Sequence, residues 1–412
     1  MTNSDPSDET PAAVTALSDI RVLDLGRVLA APFAAQVLGD LGAEVIKIER
    51  PDGGDDTRPW KPPEVAGNSA YFSSINRNKR SVTIDFSNAD GREVFYELVR
   101  QSDVVIENFR AGVTERLGID YKTLKALKPS LIYCSISGFG QEGPLSRRAA
   151  YDYIVQAFSG VMSLTGDVDG DPVRSGGAIS DYGSGIWAVI SILFALMERQ
   201  RMGRGQHIDL SMLDCTLPYI SHLIGNYLAS GIEPPRLGNG HTSIVPMDVY
   251  QTKDFPLMVM CGNDGMFRRW MKAMGAEEKG DDPRFAKNVD RAKNLPELQA
   301  FLHERFLCDT QDVWLKKLSQ ADVPVAPVRS VSETMNADEI RARDMILELP
   351  RENGEQVRVL GSPLKFSESV VAKNAKPPPR LAEHTREVLT ELGIINEERL
   401  QELIEKGAIS VE

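Results

Sequence analysis

The sequence predicts an α/β fold on two observations: a strand–helix–strand unit close to the N-terminus, and a series of short apolar runs alternating with helical patterns after it. In the first unit IRVLDL (20–25) is a short apolar run. PFAAQVLGDLG (32–42) then places Phe33, Val37, Leu38 and Leu41 on one helical face, and EVIKIE (44–49) follows as a β-rich run. SVTIDF (81–86), DVVIENF (103–109) and SLIYCSISGF (130–139) continue the strands. Helices are expected between them, at 90–102 and 121–129.

Gly183 to Gln200 is apolar nearly all round, which predicts a buried helix. A strand over His207–Leu210 and a further helix come next. Around 230–245 the texture changes to a Gly- and Pro-rich loop. A smaller block to about 325 carries two strand-like runs and the helical ELQAFLHERF and VWLKKLSQADV. The last part holds short strands, a turn at Pro377–Pro379 and the amphipathic EERLQELIEKG. With 412 residues, two domains or one large domain with an excursion are expected. The divisions read as a disordered tail over 1–17, a large domain over 18–225, a linker and small domain over 226–328, and a return to the large domain over 329–412.

Composition narrows the function. A net charge of −12 argues against general nucleic-acid or anionic-membrane binding, which needs a basic face. It leaves room for a small anionic ligand, because a local cluster outweighs charges beyond a Debye length of roughly 8 Å. The longest apolar stretch, Ile186 to Met197, is shorter than the roughly 20 residues a bilayer core requires. MTNSDPSDETPAAVTAL is polar and acidic, reading as a tail and not as a signal peptide or an Arg-rich presequence. The four cysteines are far apart with no C-x-x-C pair, so neither a disulfide framework nor a zinc site is expected, and a cytoplasmic location is.

The first unit invites a dinucleotide reading with Glu49 as the ribose acid. Its turn, GRVLAAP (26–32), has one glycine and a proline entering the helix, so a pyrophosphate could not approach as G-x-G-x-x-G allows. Arg50 follows the second strand, where a cation can grip a nucleotide phosphate; an ordinary surface Arg is the simpler account. Three basic segments contain Arg50 with Arg58, Arg77 with Lys79 and Arg80, and Arg110 with Arg116. They suggest one anion-binding mouth at the strand ends.

Asp181, in DPVRSGGAISDYGSGIW, stands just before the predicted buried helix. Aspartate there serves as an N-cap. The same carboxylate can attack an activated acyl carbonyl, with Gly176, Gly177, Gly183 and Gly185 letting substrate approach and leaving N–H groups for an oxyanion. No G-x-S-x-G elbow and no metal-binding spacing competes with it.

Seven segments, in order, resemble the class III CoA-transferase family, which includes formyl-CoA, carnitine and dicarboxylate CoA-transferases and the α-methylacyl-CoA racemases. They are VLDLGRVLAAPFAAQVLGDLGAEVIKIERPDGGDDTR, SINRNKRSVTIDF, ENFRAGVTERLG, LIYCSISGFGQEGP, GDPVRSGGAISDYGSG, GRGQHIDLSMLD and AEHTREVL, running from about residue 18 to the end. The resemblance implies a Rossmann-like large domain built from N- and C-terminal parts, a smaller α/β domain, and an interlocked homodimer. It implies Asp181 as a nucleophile passing through an aspartyl–acyl anhydride and an aspartyl-CoA thioester, with coenzyme A or acyl-CoA as substrate, no bound cofactor and no metal. It places Val28, Ala30, Arg50, Ile75 and Lys79 along the CoA channel with Asn108, Phe109 and Arg116, and sets Tyr151 and Met212 nearer the thioester.

Departures within the family choose among its members. Racemases carry a His where this chain has Tyr151, so a two-base epimerisation lacks one base. Formyl-CoA transferases carry a Gln at Leu29 and a glycine run in the covering loop, here GNGHTSIVP (238–246), which argues against oxalate or formate exchange. GDDTRPW, SHLIGNYL and HTSIVP resemble the enzymes exchanging CoA between succinate and other dicarboxylates such as glutarate or malate. Arg58 is the candidate for the second carboxylate, with a local salt bridge to Asp55 or Asp56 as the alternative, and His241 and Ser243 on the covering loop could assist. A racemase of 2-methylacyl-CoA and a non-catalytic acyl-CoA-binding protein are the competing readings.

Overall fold

The computed structural model describes residues 15–369, 371 and 375–412. The tail expected over 1–17 therefore lies mostly outside the described residues, although Leu17 at its edge is buried in the core. Two compact units divide the chain. The first takes the chain up to Ser159, Ser175–His222 and Glu339–Glu412; the second takes Gly160–Arg174 and Leu223–Asp338.

The first unit is built on six strands: β1 (Arg21–Asp24), β2 (Glu44–Glu49), β3 (Lys79–Thr83), β4 (Val104–Glu107), β5 (Ile132–Ser137) and β6 (His207–Ser211). Their spatial order is β3-β2-β1-β4-β5-β6, and every pairing is parallel. The chain starts in the middle, builds outward through β2 and β3, then crosses to the other side of β1. The strand order thus reverses between β1 and β4, the place where ligands of open α/β sheets bind.

Alternate residues face opposite sides. Val22, Val45, Val104 and Ile106 enter one core, and Leu23, Ile46, Val105 and Tyr133 enter the other. Both faces are covered, so the strands read as unbroken apolar runs. The helices that position the site and the core are α1 (Ala30–Asp40), α2 (Ala89–Arg100), α3 (Asp152–Phe158), α4 (Ile179–Met202), α5 (Thr385–Glu391) and α6 (Glu397–Glu405). The first core packs α1 against α4: Ala30, Ala31, Ala34 and Ala35 meet Ala188, Ile192 and Ala195. The approach is close, since a Cβ on Gly185 would lie 2.9 Å from the Ala30 carbonyl oxygen. The second core takes Val94 and Leu98 of α2 with Val388 and Leu389 of α5 and Leu400 and Leu403 of α6.

The burial expected for 183–200 is only half met. α4 has 24 residues and buries one side, while Ile186, Ile190, Phe194 and Met197 form an exposed stripe at helical spacing. A sheet face takes only one side of a helix, and the outward side stays exposed among the described residues. This helix is also long and apolar enough, by length and composition alone, to cross a membrane, but half of its most apolar window is buried in the protein.

The second unit carries a three-stranded antiparallel sheet of β7 (Met247–Tyr250), β8 (Leu257–Met260) and β9 (Val325–Pro327), with β8 in the middle. Its core is aromatic, with Tyr250, Trp270 and Phe306 in ring contact and Trp314 against Phe306.

Candidate active site

A cleft of about 910 Å³ opens at the β1/β4 switch point. Its walls are the segments leaving β1 (Arg27, Val28), β4 (Asn108, Phe109) and β5 (Gly138), together with Tyr151, Asp181 and Met212. The two central walls are sewn together: Asn108 accepts the Arg27 N–H at its Oδ1 and donates its amide to the Arg27 carbonyl, both at 2.8 Å. The Arg27 guanidinium also lies 5.0 Å from the Phe109 ring centre, within cation–π range.

Asp181 sits in the first turn of α4, two residues past its start, and caps nothing. The helix begins at Ile179 with Ala178 at the N-cap position and no side-chain cap. The capping expectation is therefore corrected. The helix extends one turn further back than the apolar pattern suggested, because Gly183 and Gly185 lie inside it as contact points. A Cβ on Gly183 would lie 2.8 Å from the Tyr219 ring and one on Gly185 2.8 Å from Phe33. The capping carboxylate is Asp152, at the start of α3, whose Oδ2 accepts the N–H groups of Ser180 at 2.7 Å and Asp181 at 3.1 Å. Gln156 completes the brace: it hydrogen-bonds Asp152, donates to the Gly177 carbonyl at 3.2 Å and accepts the Ser175 N–H at 2.9 Å. These two helix-terminal N–H groups are thus engaged by Asp152 and are not free for an oxyanion.

The Asp181 carboxylate itself has no hydrogen-bond partner among the described residues. Burial first, and then the Asp152 charge, push its carboxyl up to about 7. Such a group is poised between acid and anion near neutrality, with its lone pairs free to meet a carbonyl carbon.

Val28 forms the facing wall in a left-handed conformation, φ 65°. For a β-branched residue this is an outlier costing on the order of 1–3 kcal/mol, and such strain gathers at functional sites. Arg110, Arg116, Arg147 and Arg148 also line the cleft, and none has an ion pair among the described residues. Four cations without an ion pair among the described residues, on one cleft in a chain of net charge −12, make a mouth for a polyanion.

The predicted site residues sort cleanly. Val28, Asn108, Phe109, Arg116, Tyr151, Asp181 and Met212 meet at the cleft. Arg50 lines an adjoining hollow of about 220 Å³ with Phe86 and Ser87, and pairs with Asp56 at 3.0 Å. Ala30 and Ile75 are buried, at 1% and 2% exposure, and take no part in the cleft. Lys79 is a correction: it is buried, and its ammonium donates to Asp24, the Pro32 carbonyl and Asn76 at 2.7–2.8 Å, so no proton remains for a phosphate. Burial lowers its pKa to about 8. The whole NRNKRS segment opens β3, and so lies at the opposite end of the sheet from the ligand-binding edge. Arg77 accordingly pairs with Asp40, and Arg80 with Glu44, Glu387 and Glu391.

Arg58 is a second correction, and neither of its two readings holds. It is nearly buried, clasps Glu49 with two bonds of 2.7 and 2.6 Å, and donates to Asn68 at 2.7 Å while lying over the Phe72 ring. Its fork is spent inside the protein, on Glu49 and not on Asp55 or Asp56. His241 and Ser243 belong to the second unit, where the His241 Nδ1 accepts the N–H groups of Ser243 and Ile244 at 3.0 and 3.2 Å. Sequence reasoning missed Arg27, Arg147, Arg148 and Asp152, and named Arg110 only as part of a basic segment. The adjacent arginines of LSRRAAYD, next to the start of α3, were the available signal. Among the described residues no cluster of His, Cys, Asp or Glu is placed to hold a metal.

The pattern described as CoA-transferase family III matches residues 17–385. The chain is 41% identical to a succinate–glutarate CoA-transferase of Agrobacterium fabrum, over 92% of this chain and 96% of that protein. It is 43% identical to an acetyl-CoA:oxalate CoA-transferase of Acetobacter aceti, over 88% and 92%. A crystal structure of a CAIB/BAIF family protein from Brucella suis superposes with a TM-score of 0.83 at 42% identity, covering 92% of this chain and 99% of the other.

Proposed function

The chain belongs to CoA-transferase family III, and from that premise we propose that it moves coenzyme A between succinyl-CoA and a second dicarboxylic acid, with Asp181 as the covalent nucleophile. The observation that carries this reading is an Asp181 carboxylate without a hydrogen-bond partner, in a cleft bordered by four arginines without an ion pair, among the described residues. An Asp181 oxygen attacks the donor acyl carbonyl, the C–S bond breaks, and CoA leaves as thiolate from an aspartyl–acyl anhydride. The thiolate attacks the aspartyl carbonyl, releasing succinate and leaving an aspartyl-CoA thioester. The acceptor carboxylate then attacks that thioester, and the freed thiolate takes the acceptor acyl group from the second anhydride, restoring Asp181. One thioester replaces another, so the exchange is near balance without ATP. The arginines of the cleft match the phosphates of CoA in charge and in fork geometry.

The relative from Agrobacterium favours a glutarate-like acceptor, and the one from Acetobacter reopens oxalate, which the Leu29 position and the covering loop had counted against. Incubation with succinyl-CoA and a panel of glutarate, malate, oxalate and formate, read by mass spectrometry of new thioesters, decides between them. Glutaryl-CoA is expected. No new thioester with any acid would sink the reading, and solvent deuterium at the α-carbon of a 2-methylacyl-CoA would move it to the racemases.

The proposal includes the interlocked homodimer. Its support is the exposed stripe of Ile186, Ile190, Phe194 and Met197 on α4, a contiguous apolar patch of the kind that marks an association surface.

A further inference from the structure

The strained turn at Val28 is held by side chains from three separate segments. Gly26 donates its N–H to Asp24 Oδ1 at 2.8 Å, and its carbonyl accepts the Lys47 ammonium at 2.8 Å. Both backbone groups of Arg27 are taken by Asn108. The Val28 N–H reaches Asp55 Oδ1 at 3.3 Å. Asp55 and Lys47 in turn pair with each other at 3.0 Å, both side chains fully enclosed, and Thr57 fixes Asp55 through its N–H and hydroxyl at 2.9 and 2.8 Å. Gly26 has no room for a side chain, since a Cβ there would lie 2.5 Å from that of Ala31. No local preference of Val28 favours φ 65°; the surrounding structure imposes it.

A buried ion pair is a poor choice for stability alone, because desolvation of both charges offsets their attraction. This one spans the turn, with Lys47 on the Gly26 carbonyl and Asp55 on the Val28 amide, directly beneath a cleft wall. We propose that Lys47 and Asp55 are positioning residues for the transfer reaction, clamping Val28 in its left-handed conformation so that the cleft wall facing Asp181 is set before acyl-CoA arrives. The inference rests on the reading of this cleft as the acyl-CoA site. A preset wall spares the ordering cost of binding and keeps the thioester within reach of the nucleophile. Burial works against the Asp55 charge, but the Lys47 ammonium and the Thr57 donors hold its carboxyl far below the ordinary range, so the clamp stays ionised through neutral pH.

The test compares Val28→Gly, Val28→Ala and Asp55→Asn in the full-length enzyme, using succinyl-CoA with glutarate as the assay and calorimetric binding of CoA. Alanine keeps the Cβ and the imposed conformation while trimming the wall, so Val28→Ala reads the lost side-chain contact alone and is expected to raise KM for succinyl-CoA less than Val28→Gly does. Glycine is relaxed at φ 65° and free to leave it, so Val28→Gly is expected to raise KM for succinyl-CoA about ten-fold with an unchanged or higher Tm. Asp55→Asn keeps an acceptor for Val28 and drops the charge on Lys47; it is expected to raise the same KM while leaving KM for the acid acceptor unchanged. Equal kcat/KM in the glycine and alanine variants overturns the proposal, and their comparison stands even if Asp55→Asn fails to fold. A wild-type enzyme that neither binds CoA nor transfers it refutes the underlying reading instead, which separates the two failures.

Discussion

Asp152 and Asp181 form a carboxylate pair across two helices: Asp152 Oδ2 holds the Asp181 N–H at 3.1 Å, and its charge acts on the carboxyl that the same residue carries. One group thus fixes the backbone of the candidate nucleophile and raises its proton affinity. The fold supplies this by ending the loop after β5 at Tyr151, so that α3 begins with Asp152 beside the first turn of α4.

The first prediction concerns pH. The nucleophile is the anion, and its carboxyl is pushed up to about 7, by burial and then by Asp152. Activity at limiting acyl-CoA is expected to rise with pH through that value. In Asp152→Asn the amide oxygen still caps α4 but the negative charge is gone, so the acidic limb moves to lower pH. A pH profile of kcat/KM with an unmoved limb in the variant contradicts the assignment.

The same shift makes a statement about stability. The folded carboxyl holds its proton up to about 7 while the ordinary value is 3.8. Between those values the folded state binds more protons than the unfolded one, so this group's contribution is complete below about pH 4 and is lost as pH rises through 7. Asp181→Asn escapes that loss. It is expected to be more stable than wild type at pH 8 by on the order of 2 kcal/mol, and to lose the advantage by pH 4. Thermal unfolding at the two pH values checks it, and a variant less stable at pH 8 contradicts it.

Arg58→Ala separates a structural cation from a substrate-binding one. Glu49 would be left buried and unpaired, which costs about 3 kcal/mol or more. A fall in Tm is expected, with KM for the dicarboxylate unchanged when measured well below the unfolding range. An intact Tm with a raised acceptor KM would restore the role first read from sequence.

The α4 stripe predicts association. Light scattering of the purified protein is expected to give twice the chain mass of 45.4 kDa. Phe194→Asp, which puts a charge on a residue 59% exposed in the single chain, is expected to shift the mass toward one chain. A monomeric wild type would leave the stripe without its proposed partner.

Much of this site was legible as sequence, for physical reasons that differ by residue. The strands were readable because both faces of the sheet are covered, leaving runs such as EVIKIE with Val45, Ile46 and Ile48 at their centre beside the Lys47 that serves Gly26 and Asp55. Asp181, Asn108 and Met212 were found through ordered motifs, not through any local property. Lys79 and Arg58 were misplaced because charge in a sequence looks the same whether it meets a ligand or a buried carboxylate; only the direction of β3 and the position of Glu49 decide. Asp152 was missed because its action is on backbone N–H groups of a segment 28 and 29 residues away, which no spacing rule reaches. The exposed stripe on α4 was invisible because an outward apolar face and an inward one have the same composition.

The proposed role of Asp181 is to carry coenzyme A during transfer. The direct measurement is mass spectrometry of the peptide containing Asp181 after brief incubation with succinyl-CoA and no acceptor, followed by trapping with hydroxylamine or borohydride. The expected result is a modified Asp181 in the wild type, no modified peptide in Asp181→Ala, and loss of the label when glutarate is added before trapping. Full transfer activity in Asp181→Ala, or a label on another residue that turns over with the acceptor, would contradict it.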